Sequence, residues 1–388
     1  ATPHARSGAP AAPRVAMADT GMLERKLDHS EEVQAAIPES IRVANASGLD
    51  DALELLLSYE KKCRLGNDFS SLKEVVLHMI RMCRERDWAK MVSTITVIAK
   101  RRAQSKHAIT AMVKECMTYL DDSPSKEAKM DLLTTLRDVC EGKIYVEGDG
   151  AKLTMMIAKL KEEDGDVEGA CEAIQDVHVE TYGSLSKLEK AQYILEQIRL
   201  NLLRQDYVRA LIQSRKMNRK ILEEEELQEA KVGFYDLMVQ YHMHERDSWE
   251  LCQCYFRKYD TAIVKENEEQ RHETLRCTVL FLLLSEFNNH QSDMMHRVMQ
   301  LKDLESLPAY KHALTLFTTP EIIAYPFQHL TDLETHPALG GAAAEHWRQT
   351  MHTRVVQHNV RVVSKYFTRI RTQRLPGLLG PPGGGTGR

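Results

Sequence analysis

Apolar residues recur along most of the chain at the spacing of an α-helix. One such set falls at positions i, i+3, i+4 and i+7: Leu153, Met156, Ile157 and Leu160. Gly165 follows where a helix would end in a left-handed residue, and Asp166 stands where a side chain would accept the first free amides of the next helix. The stretch 153–177 therefore predicts two amphipathic helices joined by a tight turn.

The same kind of corner recurs at nearly equal intervals along the chain. The corners are placed at Gly48, Arg86, Gly165, Gln205 and Arg246, with separations of 38, 79, 40 and 41 residues. The doubled interval implies a degenerate corner within 121–129, and a further step lands on a loop at 287–295. A period near forty residues is typical of stacked helical hairpins, which bury their apolar faces against each other. We predict an all-α fold, a right-handed TPR-like solenoid of hairpins, with an irregular all-α protein as the alternative.

A long amphipathic helix is predicted for 345–374. Its apolar face comprises Trp347, Met351, Val355, Val362, Tyr366 and Ile370. No acidic residue follows Glu345, whereas basic residues continue on the polar face. This basic helix is a candidate docking surface, with Arg348, Arg354, Arg361, Lys365 and Arg369 as its candidate residues. Docking of a partner helix is favoured over nucleic-acid binding. The apolar face of this helix packs against the rest of the protein, and the cations on its polar face are also typical of a side that only faces solvent.

Composition narrows the class of protein. Among 388 residues, 52 Lys and Arg against 56 Asp and Glu give a net charge of −4, so no overall field favours nucleic acid or an anionic membrane. No apolar run approaches the ~20 residues of a membrane span. Eight cysteines lie mostly within helical apolar patterns: Cys63, Cys83, Cys116, Cys140, Cys171, Cys252, Cys254 and Cys277. They indicate reduced, core-filling thiols in a protein of the cytoplasm and nucleus.

The most zinc-like set in the chain is His242, His244, Cys252 and Cys254. Residues two apart on a helix point roughly 200° away from each other, so neither pair is placed to share an ion. Phosphate-binding loops, GxSxG and HExxH are absent from the sequence, and no cysteine lies in a protease signature. We expect no catalytic residue, no metal and no cofactor.

Four segments are expected. Residues 1–38 form a disordered N-terminal segment, 39–244 a helical-hairpin arm, 245–374 a further helical part, and 375–388 a disordered Gly/Pro tail. The first sixteen residues share their composition with transit peptides and with plain disorder, and upstream translation before Met17 is the preferred interpretation. Three aromatic residues at corners, Trp88, Tyr207 and Trp249, are candidates for partner contact or, more simply, for packing between hairpins.

Four long segments carry a family resemblance. They are 134–170 ("TTLRDVCEGKIYVEGDGAKL…"), 179–200 ("VETYGSLSKLEKAQYILEQIRL"), 307–323 ("LPAYKHALTLFTTPEII") and 347–370 ("WRQTMHTRVVQHNVRVVSKYFTRI"). The chain resembles the PCI-domain subunits of the 26S proteasome regulatory-particle lid over about Ala44 to Arg374. Where that family continues into a winged helix, this sequence gives Leu375-Pro376-Gly377, so the winged helix is expected to be missing.

The resemblance implies a non-catalytic scaffold that supports ubiquitin-dependent degradation. It implies contacts with other lid subunits, including PCI subunits and the deubiquitinase pair, and with the ATPase ring and the core particle; no membrane is expected, and nucleic acid is disfavoured. Two alternatives stay open at this point. One is a PCI subunit of the signalosome, and the other is an RNA-binding PCI subunit of the translation initiation machinery.

Overall fold

Helices make up most of the part that the computed structural model describes, residues 28–371 and 373–379. Within those ranges no strand occurs, and nineteen α-helices follow one another. They are α1 Ser30–Ala46, α2 Leu49–Leu65, α3 Phe69–Arg86, α4 Trp88–Ala99, α5 Lys106–Thr118, α6 Lys126–Cys140, α7 Glu147–Glu163, α8 Val167–Gln175, α9 Lys187–Leu203, α10 Tyr207–Lys216, α11 Gln228–Glu245, α12 Ser248–Tyr259, α13 Ala262–Glu266, α14 Glu268–Leu284, α15 Asn289–Met299, α16 Pro308–Thr318, α17 Leu330–Glu334, α18 Ala344–Tyr366 and α19 Leu375–Leu379.

The predicted corners join consecutive helices. Gly165, Gln205 and Arg246 all adopt left-handed backbone conformations, with φ of 83°, 64° and 58°. Each is followed by an aspartate whose carboxylate accepts an amide of the next helix, at 2.8 Å for Asp166, 3.0 Å for Asp206 and 3.1 Å for Asp247. These bonds satisfy amides that a helix start leaves unpaired, and they confirm the predicted helix-turn-helix geometry.

Of two further predicted corners, one lies where the sequence placed it and the other is shorter than predicted. The degenerate corner within 121–129 exists, because α6 begins at Lys126 with the Ser125 hydroxyl accepting the Ala128 amide at 3.1 Å. The loop predicted at 287–295 is shorter than expected, since α15 already begins at Asn289. A corner that the periodicity missed lies between α2 and α3, where Asn67 has φ of 55° and Asp68 caps α3.

The chain divides into two compact units. The first ends at Asp149 and the second begins at Gly150, within α7. In the first unit α3 buries Leu72, Val75, Val76, Met79 and Ile80 completely. The second unit contains two apolar clusters, one built mainly by α7 to α11 and the other by α12 to α18. The boundary predicted at 244/245 stays a prediction; it falls at the end of α11, between two helices that pack against each other.

Three expected boundaries are wrong in detail. Helix α1 already begins at Ser30, so residues 30–38 are not disordered, while the rest of the predicted N-terminal segment, 1–27, lies outside the described residues. The last long helix ends at Tyr366 rather than near 374, and Tyr366 is 68% exposed instead of packed. Residues 375–379 form the short helix α19, and the remainder of the predicted tail, 380–388, is again outside the described part.

Candidate protein-interaction surface on the last long helix

Helix α18 has one face committed to the core. Trp347, Met351 and Val355 are buried at 1% exposure or less, as the predicted apolar stripe requires. The Trp347 ring packs edge-on against Phe281 of α14, with ring centroids 5.6 Å apart. Burial of these large side chains fixes the rotation of α18, and the opposite face is therefore set toward solvent.

Two polar residues on the buried side anchor the preceding loop. Asn359 Oδ1 accepts the Ile323 amide at 2.8 Å, and Asn359 Nδ2 donates to the Ile323 carbonyl at 2.9 Å. His358 Nε2 lies 2.9 Å from the Glu321 carbonyl oxygen, a contact in which the ring nitrogen donates. Burial lowers the pKa of His358 below its ordinary value, so the neutral ring is favoured at neutral pH.

Arg354 connects α18 to the end of α14. Its Nε donates to the Leu284 carbonyl at 2.8 Å, one of the carbonyls that the end of a helix leaves without an internal partner. The same guanidinium donates to Gln357 Oε1 at 2.9 Å and lies 3.5 Å from Glu286 Oε1. Only 14% of the Arg354 side chain is exposed, so this cation acts mainly as a structural cap.

Arg361 lies on an aromatic ring two turns further along α18. Its guanidinium carbon is 3.8 Å from the centroid of the Phe287 ring, in the corner between α14 and α15. Such a contact is attractive and holds the guanidinium in one orientation. Partial burial lowers the pKa of Arg361, but a guanidinium titrates so far above neutral pH that the group stays charged.

An open groove of about 440 Å³ lies between this corner and the solvent side of α18. It is lined by Glu286, Phe287, Arg354, Val356, Gln357, Val360 and Arg361. We call it the α18 groove. Phe287 is 50% exposed and Val360 46% exposed, so apolar surface remains accessible within it. Lys365 is exposed and follows Arg361 at i+4, on the same side of the helix.

The five predicted docking residues have different surroundings. Arg354 and Arg361 both line the groove, and Lys365 lies one turn beyond Arg361. Arg348 lies near the other end of α18 and pairs with Glu345 at 3.2 Å. Arg369 is exposed beyond the end of the helix. The sequence missed Phe287 and Val360; an aromatic residue at a helix corner and a valine on the charged face of the last helix were the available signals.

The three corner aromatics contact neighbouring helices within their own units. Trp88 is half-buried, and its Nε1 donates to the Ala128 carbonyl of α6 at 3.4 Å. Tyr207 stacks on His244 of α11 with 3.5 Å between ring centroids and an interplanar angle of 9°. Trp249 is half-buried against the cluster built by α12 to α18. These contacts favour packing between hairpins; a role in partner contact stays a prediction.

The zinc-like set does not converge on one point. Cys252 belongs to the cluster of α12 to α18, whereas Cys254 belongs to the cluster of α7 to α11, on another side of the same helix. All eight cysteines are buried and free. Burial raises the pKa of Cys254 and of Cys116 to about 12, so both thiols are protonated and poor nucleophiles at neutral pH.

A different group of three potential ligands lies between α14 and the 336–339 turn. Among the described residues it is the one group with metal-ligand spacing: Glu273, Cys277 and His336. His336 Nδ1 accepts the Ala338 amide at 3.2 Å, which places the ring proton on Nε2, 3.2 Å from Glu273 Oε1. Burial raises the pKa of Cys277 to about 12. This arrangement is a hydrogen-bonded network with its protons in place, and it leaves no free imidazole lone pair for a metal.

None of the helices within 28–371 and 373–379 has the length and apolar character that a membrane span needs.

Comparison with known proteins identifies relatives over most of the chain. A family model described as "PSMD12/CSN4, N-terminal" matches residues 51–267. The chain is 34% identical over 354 residues to the 26S proteasome non-ATPase regulatory subunit 12 of Dictyostelium discoideum, covering 91% of this chain and 79% of that protein. It is 34% identical to the 26S proteasome regulatory subunit rpn501 of Schizosaccharomyces pombe, with 91% and 81% covered. The 26S proteasome non-ATPase regulatory subunit 12 homolog A of Arabidopsis thaliana is 33% identical, with 87% and 83% covered.

Proposed function

Because the chain belongs to the family of the 26S proteasome non-ATPase regulatory subunit 12, we propose that it is a scaffold subunit of the lid of the proteasome regulatory particle. In this role it supports ubiquitin-dependent degradation without catalysing a step. Its partners are other lid subunits, including PCI subunits and the deubiquitinase pair, together with the ATPase ring and the core particle. The complex operates in the cytoplasm and the nucleus.

The observation that carries this proposal is the similarity to proteins with proteasomal names over about nine tenths of the chain. The local chemistry supports a holding role. The capped corners satisfy their own polar groups, and the thiols whose pKa is raised by burial are not activated as nucleophiles. Within each unit, successive helix pairs present an outer surface on which many modest contacts add up.

Two alternatives are weaker. The description of the family model joins two proteins, so that match alone does not exclude a signalosome subunit. The similarity to proteasomal proteins over about nine tenths of the chain favours the proteasome. An RNA-binding role depends on the basic end of the chain. Arg354 is engaged by the Leu284 carbonyl and Arg361 by the Phe287 ring, which reduces the number of cations available to phosphates.

Affinity purification of the tagged chain from its own cells, followed by mass spectrometry, tests the proposal. We expect subunits of the proteasome regulatory particle at near-stoichiometric amounts. Recovery with signalosome subunits or with translation initiation factors in their place would replace the proposal by the corresponding alternative. A gel mobility assay with generic RNA at low and at high salt tests the RNA-binding role on its own. A complex held by phosphate contacts forms at low salt and dissociates as salt rises, so the absence of a shift at low salt would exclude this role.

A further inference from the structure

We propose that the α18 groove binds an acidic amphipathic helix of a partner protein, with one apolar side chain between Phe287 and Val360 and carboxylates on Arg361 and Lys365. This inference goes beyond the proposed function, because it assigns a surface and the chemistry of its occupant. Its test uses direct binding to a defined probe. If the groove does not bind the probe, this inference fails, but the proposed function does not, because that function is tested separately by the composition of the purified complex.

The apolar part of the groove is the first argument. Phe287 and Val360 belong to different elements and are each about half exposed, and Val356 lies one turn before Val360. A helix face turned to solvent ordinarily carries polar side chains, and contiguous exposed apolar surface marks interaction sites. A groove of about 440 Å³ has room for a large aliphatic or aromatic side chain. Covering these groups removes apolar area from water, which favours binding.

The charge beside this apolar surface is the second argument. Arg361 is held in place by the Phe287 ring, and Lys365 lies one turn further along. No acidic residue follows Glu345 in the sequence, so α18 beyond its first turn carries only positive charge. Glu286 is the one acidic residue in the groove lining, and Arg354 faces it at 3.5 Å. This positively charged surface therefore favours a negatively charged partner.

The same contacts disfavour RNA as the occupant. Arg354 Nε already donates to a backbone carbonyl and is therefore not available to a phosphate. Arg361 covers one face of the Phe287 ring, so a base cannot stack on that face. Val356 and Val360 line the groove where a phosphate-binding surface would need donors. A carboxylate-bearing helix with apolar anchors uses both the valines and the cations.

Fluorescence anisotropy with the full chain tests the inference. The probe is a labelled peptide of about 14 residues with Leu on one helical face and Glu elsewhere. Two matched peptides serve as controls, one with every Glu replaced by Lys and one with every Leu replaced by Ser. We expect binding of the acidic amphipathic peptide alone, and a weaker affinity when salt rises from about 50 mM to about 200 mM.

Variants locate the binding site. Phe287→Ala, Val360→Ser and Lys365→Glu should each weaken binding of the probe, by about tenfold for the aromatic truncation. Val208→Ala, at a valine of α10 that is 72% exposed, and Arg348→Gln, near the other end of α18, should leave the affinity unchanged. Circular dichroism verifies that every variant is folded.

Three outcomes would overturn the inference. Equal binding of the acidic and the Lys-containing peptides would show that charge does not select the partner. Loss of binding in Val208→Ala or Arg348→Gln, or unchanged binding in all three groove variants, would place the site elsewhere. Binding of a single-stranded RNA oligonucleotide that displaces the acidic peptide from the wild-type chain and is weakened by Phe287→Ala would assign the groove to nucleic acid.

Discussion

The side chains on the two faces of α18 have different surroundings. On the core face Trp347 and Met351 are buried, and His358 and Asn359 give their polar atoms to the loop at 321–323. On the groove face Val360 is half exposed, and Arg361 rests on a ring that is itself half exposed. One face of this helix therefore has its side chains buried or hydrogen-bonded within the protein. The other face keeps exposed apolar area and positive charge that a partner can contact. Burial alone therefore does not explain the sequence of α18.

Truncation of a large side chain should cost much more stability on the core face of α18 than on the groove face. Trp347→Ala should lower the free energy of unfolding by about 3–5 kcal/mol, because it removes a fully buried ring and leaves a cavity beside Phe281. Urea unfolding followed by circular dichroism measures the change. Phe287→Ala is the matched aromatic truncation on the groove face and should cost about 1 kcal/mol or less. Equal losses for the two variants would remove the distinction between the faces.

Arg354 lies at the border of the two faces and should behave as a structural residue. Arg354→Ala removes the donor that satisfies the Leu284 carbonyl at the end of α14 and should cost about 1–3 kcal/mol. Arg348→Ala removes an exposed pair with Glu345 and should cost at most about 1 kcal/mol. Chemical denaturation of both variants is the measurement. A neutral Arg354→Ala would mean that this cation belongs to the groove rather than to the cap.

Acid should destabilise the core face through His358. Burial lowers the pKa of this ring below its ordinary 6.5, so the unfolded chain binds its proton more readily than the folded chain does. The stabilising contribution is complete above pH ~6.5 and is lost as pH falls toward the folded-state pKa, by at most about 1.4 kcal/mol per pH unit. Unfolding at about pH 7.5 and at about pH 5.5 measures the loss.

Two substitutions assign that pH dependence. His358→Gln keeps a donor for the Glu321 carbonyl without titrating in this range, and should reduce the loss on acidification. His290→Gln, at an exposed position of α15, should leave the loss unchanged. The assignment is wrong if both variants lose as much stability as the wild type between the two pH values.

Val360, on the groove face, should contribute little to stability. Val360→Ser should change the free energy of unfolding by about 0.5 kcal/mol or less, because this side chain is 46% exposed and leaves no closed cavity. The same variant should weaken binding of the acidic peptide. A large loss of stability would show that Val360 is a core residue and that the two faces do not differ.

The sequence predicted elements where local rules decide the structure. The corners at Gly165, Gln205 and Arg246 follow from a left-handed residue and an aspartate cap, which are visible in a few adjacent letters. The capping box at Ser186 and Glu189 depends on the same kind of local signal, a serine followed three residues later by a glutamate. The helical-repeat fold then follows from the regular spacing of such corners.

Features that depend on contacts between residues far apart in the chain were harder to predict from the sequence. Phe287 becomes part of a site only because Arg361, 74 residues later, lies over its ring. The end of α18 at Tyr366 was missed because the apolar period continues in the sequence to Ile370. The network of Glu273, Cys277 and His336 joins α14 to a turn about sixty residues away and left no periodic signal.

We propose that this chain holds other subunits of the proteasome regulatory particle on its outer surface. Crosslinking mass spectrometry of the affinity-purified complex tests it most directly, because lysine-reactive reagents report which proteins lie against which helices. We expect crosslinks from exposed lysines, including Lys365, to regulatory-particle subunits. A chain that purifies alone, or crosslinks only to subunits of an unrelated complex, would contradict it.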